Sequence, residues 1–174
     1  TGYYLRKFTR DDINLDPTVG SKHKHYTTRI RYTELFLDYA EMANEAFGPT
    51  GNGANGYSAY DVIKALRQRA GIISDNYLES IKDNKDEMRK LIRNERRIEL
   101  CFEGKRFWDL RRWKVDLDKL NEPAKGMRIT VDMGKTTYEV IDVAERNFKE
   151  YMYYAPIPYY EVLKFSALQQ NTGW

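Results

Sequence analysis

Cysteine, histidine and long apolar runs are all scarce in this 174-residue sequence, and each scarcity removes a class of function. The one cysteine, Cys101, has no partner in the chain, which excludes a disulfide framework. It falls in an apolar helical pattern with no histidine near it, so it reads as a buried structural thiol rather than a nucleophile. The two histidines, His23 and His25, sit in a polar, basic stretch without Cys, Asp or Glu at ligand spacing. A metal site is therefore not expected. No apolar run approaches the roughly 20 residues that span a bilayer. An excess of one charge is missing too, with 29 basic against 26 acidic residues and a net charge of +3, which gives no argument for nucleic acid. The first residue is Thr1, with neither Met nor a signal-like apolar stretch, so removal of the true start by processing or truncation is expected.

What the sequence does have is a globular balance, 41% apolar and 32% charged, with an unusual load of 14 Tyr, 7 Phe and 3 Trp. Residues 1–28 read as irregular, with Tyr3, Tyr4, Leu5 and Phe8 as a short extended piece and Asp16-Pro17 as a turn. Tyr32, Leu35, Phe36, Tyr39, Ala40, Ala43 and Phe47 then recur at three- and four-residue steps. They predict a first helix over about 30–47, ended by Gly48-Pro49. Gly51, Gly53 and Gly56 form a surface loop. It lacks a Walker Lys-Ser/Thr pair and follows no strand, so it is not a phosphate cradle.

A second helix is predicted over about 58–70, with Ser58 and Asp61 as a capping pair, an apolar face of Val62, Ile63, Leu66 and Ala70, and Gly71 just past its end. Asn84 and Glu87 mark the start of a third, followed by Met88, Leu91, Ile92, Ile98 and Phe102. Gly104 interrupts it, and Phe107, Trp108, Leu110 and Trp113 predict a fourth helix over about 105–114. Strands are predicted at Arg128–Asp132 and Thr137–Ile141 with Gly134 in the turn. A short helix over about 142–150 and an extended Tyr151–Tyr154 then lead into Pro156-Ile157-Pro158, a rigid extended crossing. A last short helix over 159–165 precedes an irregular 169–174.

The segment Arg93–Trp113 carries the most information. Arg93 and Arg97 are four apart, as are Glu95 and Glu99, and each like-charged pair would repel if simply solvated on one face. Interleaved Arg and Glu flanked by Phe102, Phe107, Trp108 and Trp113 predict a paired network packed partly on aromatic surface, fixing geometry between helices. Paired carboxylates can serve acid–base chemistry. Here Glu95, Glu99 and Glu103 have Arg93, Arg96, Arg97, Arg106 and Arg111 as candidate partners, which would lower their pKa, the wrong direction for a general acid. No catalytic residue is expected. The interleaved acids also disfavour single-stranded nucleic acid.

Asn94-Glu95-Arg96-Arg97-Ile98-Glu99-Leu100, followed by Phe102-Glu103-Gly104-Lys105-Arg106-Phe107-Trp108-Asp109-Leu110-Arg111-Arg112-Trp113, resembles the hallmark segment of the SusD/RagB family. Three further motifs resemble that family in its order: Arg31-Tyr32-Thr33-Glu34-Leu35 with Tyr39-Ala40-Glu41 and Asn44-Glu45; Arg67-Gln68-Arg69-Ala70-Gly71; and Pro156-Ile157-Pro158 with Glu161 and Gln170-Asn171-Thr172-Gly173-Trp174. Thr172 stands where the family usually has Pro. Thr1–Phe8 also fits the family's stretch upstream of the first of these helices.

The resemblance implies a mainly α fold of tetratricopeptide-like helix pairs forming an α-α superhelix, with a small β-hairpin and an irregular C-terminal segment. The helix pairs would lie at about 30–71 and 84–114, with the hairpin and Pro-rich tail over 115–174. Each pair presents an apolar face that needs a neighbour. It implies that the front of the protein, including a lipid-bearing Cys, precedes Thr1; Cys101 cannot be that anchor. It further implies a surface-exposed lipoprotein of the outer membrane, in the Bacteroidetes manner of polysaccharide utilization. Such a protein binds glycans for uptake through a SusC-like TonB-dependent transporter, without catalysis and without a cofactor. Peptide capture, or a helical-repeat scaffold for protein–protein contact alone, are the alternatives.

The resemblance assigns no ligand-contacting residue here. Tyr57, Tyr60, Tyr153, Tyr154, Tyr159 and Tyr160 are the rings whose positions would let them stack on a sugar, although tyrosines near helix ends and prolines also pack with the hydroxyl wet. Because the helix pairs expect neighbours, the isolated 174-residue chain is expected to melt broadly and at low temperature. Calorimetry showing a sharp two-state transition would contradict this.

Overall fold

A computed structural model describes residues 5–24, 26 and 28–174; Tyr3, Tyr4 and His25 of the readings above lie outside the described residues. Two bodies emerge, one of residues 23–106 and one of 107–174 with the N-terminal stretch to Lys22. The described part of that stretch forms no strand. Phe8 sits in a turn with φ of 67°, closed by a bond from Thr9 N–H to the Arg6 carbonyl, which corrects the expected extended piece.

The first body is built on α1 (Tyr32–Phe47), α2 (Ala59–Arg69), α3 (Asn76–Ile81) and α4 (Lys85–Glu99). Helix α1 starts two residues later than expected because Arg31 is extended, at φ −140° and ψ 156°. Its end is as expected, with Gly48 at φ 81° donating its N–H to the Asn44 carbonyl.

Which face of α1 is buried is a correction. Thr33, Leu37, Ala40, Ala43 and Asn44 are buried, whereas Tyr32, Leu35, Phe36 and Phe47 of the expected apolar face are exposed. The helix is apolar on more than one side, and the smaller residues take the side where α2 and α4 approach closely. Asn44, fully buried, donates from Nδ2 to the Lys85 carbonyl at 3.0 Å and so ties α1 to the first turn of α4.

Helix α2 bears out its capping pair. The Ser58 N–H and hydroxyl both reach the Asp61 carboxylate, at 2.8 and 2.7 Å, and the Asp61 N–H returns to Ser58 Oγ at 3.2 Å. At its other end Gly71, at φ 92°, donates to the Gln68 carbonyl while Ile72 donates to that of Arg67, a Schellman closure. Val62 and Ile63 are buried and Leu66 packs on the core; Ala70 is exposed.

Helix α3 was not expected. It is six residues long, too short for a periodic signal, yet Asp75 caps the Leu78 N–H at 3.0 Å and Leu78 and Ile81 are buried. Asn84 caps α4 by accepting from the Asp86 and Glu87 N–H groups, as its sequence suggests.

Met88, Leu91 and Ile92 join the core, but the apolar line is then interrupted until Leu100, the buried residue just past the helix. The next inward positions hold Glu95, Arg96 and Glu99, while Ile98 is exposed. The helix ends at Glu99, and Phe102, expected inside it, is exposed in the left-handed region at φ 62°. Cys101, expected to be buried, is half-buried in the turn after α4 and forms no disulfide.

Helix α5 (Lys105–Arg112) leads into the second body, followed by the unexpected single turn α6 (Leu117–Leu120), which buries Leu120. Phe107 and Trp108 of the predicted apolar set are exposed, and the buried residue of α5 is Asp109, paired with Arg112 at 2.9 Å.

The hairpin β1 (Ala124–Asp132) and β2 (Lys135–Ala144) turns at Met133-Gly134, both at positive φ, as a two-residue turn in a right-twisted ribbon requires. Both strands outrun their predicted bounds. Asp142 pairs with Lys125, so the helix expected over 142–150 does not form, and a 3₁₀ turn at Glu150–Tyr153 replaces the extended stretch. Charged pairs across the ribbon (Lys125–Asp142, and Arg128–Glu139 at 3.0 Å) hold a register that local propensity does not announce. Helix α7 (Tyr159–Lys164) follows the prolines as expected.

The described residues thus form a mainly α fold with seven α-helices and one small antiparallel hairpin. Met88→Ala in the core is expected to cost about 2–5 kcal/mol. Ile98→Ala on the exposed side of α4 should change stability by no more than about 0.5 kcal/mol. Urea unfolding of both variants checks which side of the helix is buried.

Candidate functional site

The hallmark segment is the natural starting point, and its charges are engaged between helices. Arg31, just before α1, reaches the Glu99 carboxylate at 2.7 Å, the Glu99 carbonyl at 2.6 Å and Glu103 through a fork of bonds at 2.9–3.1 Å. Arg67 of α2 bonds Glu95 at 2.5 Å and also Asp75 at the head of α3. Arg69 bonds Glu99 at 2.6 Å and the Thr33 hydroxyl at 3.2 Å. Arg96, almost wholly buried, reaches back to Asp38 and Glu41 of α1.

The expected network is therefore present, with a correction to its members. Arg31, Arg67 and Arg69, outside the segment, are among the cations that hold Glu95, Glu99 and Glu103. Arg111, expected as a partner, lies instead over the Phe107 ring at 3.4 Å. The aromatic surface expected around the network is mostly exposed, with Phe102, Phe107 and Trp108 turned outward.

Electrostatically the brace is set for ion pairing. Burial pushes the Glu99 carboxyl up, but hydrogen bonds from Arg31 and Arg69 outweigh it and leave the group below the ordinary carboxylate range. The Arg67 guanidinium holds Asp75 low as well, against the effect of burial. A carboxylate held low is a poor proton donor at neutral pH, so the arrangement suits structure rather than acid catalysis. Among the described residues no group of three or more His, Cys, Asp or Glu is placed to hold a metal ion, and His23 is exposed. No described helix is long and apolar enough to cross a membrane.

The candidate tyrosines separate into three kinds. Tyr60 and Tyr153 are tied down: the Tyr60 hydroxyl donates to Glu79 and accepts from Lys64, and the Tyr153 hydroxyl donates to the Val115 carbonyl. Phe148 packs edge-on to the Tyr153 ring at 5.1 Å. Tyr159 and Tyr160 are exposed on α7, with Lys164 5.0 Å from the Tyr160 ring. Tyr57 and Tyr154 each line a cleft.

The Tyr57 cleft, about 470 Å³, lies between α1 and α2 with Tyr32, Phe36, Val62 and Leu66 on its walls. Its polar rim is already engaged, since Asp61 caps α2 and Arg69 is bonded to Glu99 and Thr33. The Tyr57 ring itself packs on Tyr39 at 4.6 Å, and the Tyr39 hydroxyl donates to the Tyr57 carbonyl at 2.7 Å.

The Tyr154 cleft, about 620 Å³, lies between the 3₁₀ turn and the Asn171-Thr172-Gly173 stretch. Its wall is clamped from the Gln170–Trp174 side. Gln170 accepts from the Ile157 N–H and donates to the Ile157 carbonyl, each at 2.8 Å. Asn171 Nδ2 donates to the Ala155 carbonyl at 2.7 Å, and Trp174 Nε1 to that of Tyr154 at 3.0 Å. Ile157 carries the lone N–H of the Pro-Ile-Pro triplet, so the Gln170 amide meets the one donor that the prolines leave. Gly173 is required twice over: its φ is 98°, and a Cβ there would fall 2.6 Å from Tyr151 Cβ. Glu150, Asn171 and Thr172, which line this cleft, carry no signal as site residues in the sequence. The Gln170-Asn171 pair after two prolines is the nearest thing to one.

A helical body braced by arginine–carboxylate pairs, followed by a hairpin and a side-chain-clamped proline crossing, defines an α-rich protein in which the charged hallmark is internal. The whole chain, residues 1–174, matches the SusD family, and the chain belongs to that family. Two SusD-like proteins of Formosa agariphila are 36% and 31% identical to it in alignments of 95 and 105 residues that cover 49% and 56% of this chain. The chain spans under a fifth of the length of those relatives, 16% and 18% in the matched parts. A crystal structure of a SusD-like protein from Bacteroides fragilis superposes with a TM-score of 0.64 at 29% identity, covering 85% of this chain and 26% of that one.

The brace generates a direct test. Arg31→Met leaves Glu103, whose side chain is 5% exposed, without its fork, and is expected to cost about 3 kcal/mol in urea unfolding. Because Glu99 and Asp75 titrate lower folded than unfolded, their contribution is full above the ordinary carboxylate value and is lost as pH falls below it. Stability is expected to be flat from pH 7 to about 5 and to drop below about 4. A melting temperature that rises on acidification would contradict the brace.

Proposed function

We propose that this chain belongs to a surface lipoprotein that binds oligosaccharides at the outer membrane. It delivers them to a SusC-like TonB-dependent transporter and does not cleave them. SusD-family membership supports a role in nutrient or glycan binding. The observation that carries the reading on to this chain is a division of labour. The carboxylates of the hallmark segment are committed to arginines, whereas tyrosine rings are what the surface offers. Planar apolar rings with polar neighbours suit the alternating C–H faces and hydroxyls of sugars, and they need no chemistry to do so. The anchor in this reading is a lipid attached outside the chain, and the transporter contact belongs to the intact protein.

Native electrophoresis of the intact protein through gels containing starch, xylan, mannan, laminarin or pectin tests this. Retardation by at least one polysaccharide, with no shortening of the matching oligosaccharide on prolonged incubation, is expected. Turnover of a bound oligosaccharide would overturn the binding-only reading. Passage through every gel with transporter binding intact would favour a scaffold role instead.

A further inference from the structure

Glycan binding leaves open which residues of this chain meet a sugar, and the clefts differ in the chemistry they offer. The α1/α2 cleft has mainly apolar walls, and its charged rim groups Asp61 and Arg69 are already bonded, which leaves it the Tyr32 and Tyr57 hydroxyls and no uncommitted carboxylate or amide. The Tyr154 cleft is different. Tyr154 is 57% exposed, and its backbone is fixed because its carbonyl accepts from the Trp174 indole. The Trp174 ring in turn packs edge-on against Tyr151 at 4.9 Å, with interplanar angle 83°. This holds the wall of the cleft without consuming the Tyr154 ring.

The same cleft is lined by polar groups that have no partner among the described residues: the Glu150 carboxylate, the Thr172 hydroxyl and the Asn171 side-chain oxygen, whose amide nitrogen alone is occupied. Lys114 Nζ lies over one face of the Tyr154 ring, 5.6 Å from its centroid, so stacking would use the opposite face. The volume, about 620 Å³, falls within the range of about 300–1,000 Å³ usual for small-ligand sites.

We propose that this cleft is a saccharide subsite in which the C–H face of a pyranose ring stacks on Tyr154 and its hydroxyls donate to Glu150 and Asn171. Thr172 completes the ring of acceptors and is also able to donate. The assignment rests on the glycan-binding reading and adds its contact residues. An aromatic plane offset from a free carboxylate matches a sugar, which is apolar on its faces and a hydrogen-bond donor around its rim. A purely apolar ligand would leave three polar groups desolvated without partners. Tyr153, adjacent in sequence, is excluded from stacking by its bond to Val115 and its packing on Phe148. Trp174 and Gln170 are positioning residues, acting through the backbone of 154–157.

The test compares the intact protein with its Tyr154→Ala, Tyr154→Phe and Glu150→Gln variants in the same polysaccharide gels and by calorimetry with the retarding oligosaccharide. Tyr154→Ala is expected to weaken binding by about tenfold and Glu150→Gln by about threefold, with Tyr154→Phe close to wild type because the ring is kept. All three should melt at the wild-type temperature. If wild type and all variants bind a glycan equally, the subsite is overturned while the glycan-binding reading stands. If wild type is retarded by no glycan and binds only peptides, both are overturned. Loss of binding in Tyr154→Phe equal to that in Tyr154→Ala would also overturn it, since stacking does not depend on the hydroxyl.

Discussion

The body of residues 23–106 depends on one constraint: α4 runs out of apolar residues halfway along its inward face. Met88, Leu91 and Ile92 fill the core, and the next two turns present Glu95, Arg96 and Glu99 to the same neighbours. Apolar contact is non-directional and would tolerate a helix sliding or rotating by part of a turn. A guanidinium fork on two carboxylates does not. Arg31, Arg67 and Arg69 therefore set the position of α4 against the start of α1 and the end of α2, where the buried Leu100 just past the helix is the next apolar anchor. Desolvation offsets much of the Coulomb gain, so the network supplies register more than stability. Loss of Arg31 nonetheless costs a great deal, because it removes the fork on the nearly buried Glu103 carboxylate.

The same constraint explains how much of the structure was legible. Helix starts and stops were readable where a side chain speaks to its own backbone, as at Ser58–Asp61, Asn84 and Gly71. The buried face of α1 was not, because that helix is apolar on more than one side, and only its neighbours decide which of those residues are covered. Leu37 and Asn44 take the inner face, while Phe36 and Phe47 remain outside. Interleaved Arg and Glu pointed correctly to a paired network. The identity of the partners depended on contacts up to 72 residues apart in sequence, which no local pattern encodes. The hairpin and its Gly134 turn were legible, but the length of its strands was not, for a related reason. Asp142–Ala144 reads as the start of a helix on its own, but cross-strand pairing with 124–125 overrides it.

The tyrosines show why residue type alone underdetermines a site. Six were candidates by sequence, and the hydroxyl separates two of them. Where it donates to a carbonyl or carboxylate within the body, as in Tyr60 and Tyr153, the ring has become a strut. Of the others, Tyr154 combines an exposed ring with a fixed backbone. That combination favours binding, since the residue reaches its partner without first losing conformational freedom.

The fixing of Tyr154 returns to the prolines. Pro156 and Pro158 remove two N–H groups and rule out a helix, so the crossing cannot secure itself by its own backbone bonds. It is held from outside by the Gln170, Asn171 and Trp174 side chains, each spaced to a different carbonyl or N–H of residues 154–157. A strand partner would have paired these groups backbone to backbone. Side-chain clamping satisfies them while Thr172 and the exposed Tyr154 line the cleft. The Gln-Asn-Thr-Gly-Trp motif therefore reads as a scaffold for a surface, in contrast to the hallmark segment, which is a scaffold for an interior. Gly173 marks the point where the two demands meet, because only a residue without a side chain lets the clamp close over Tyr151.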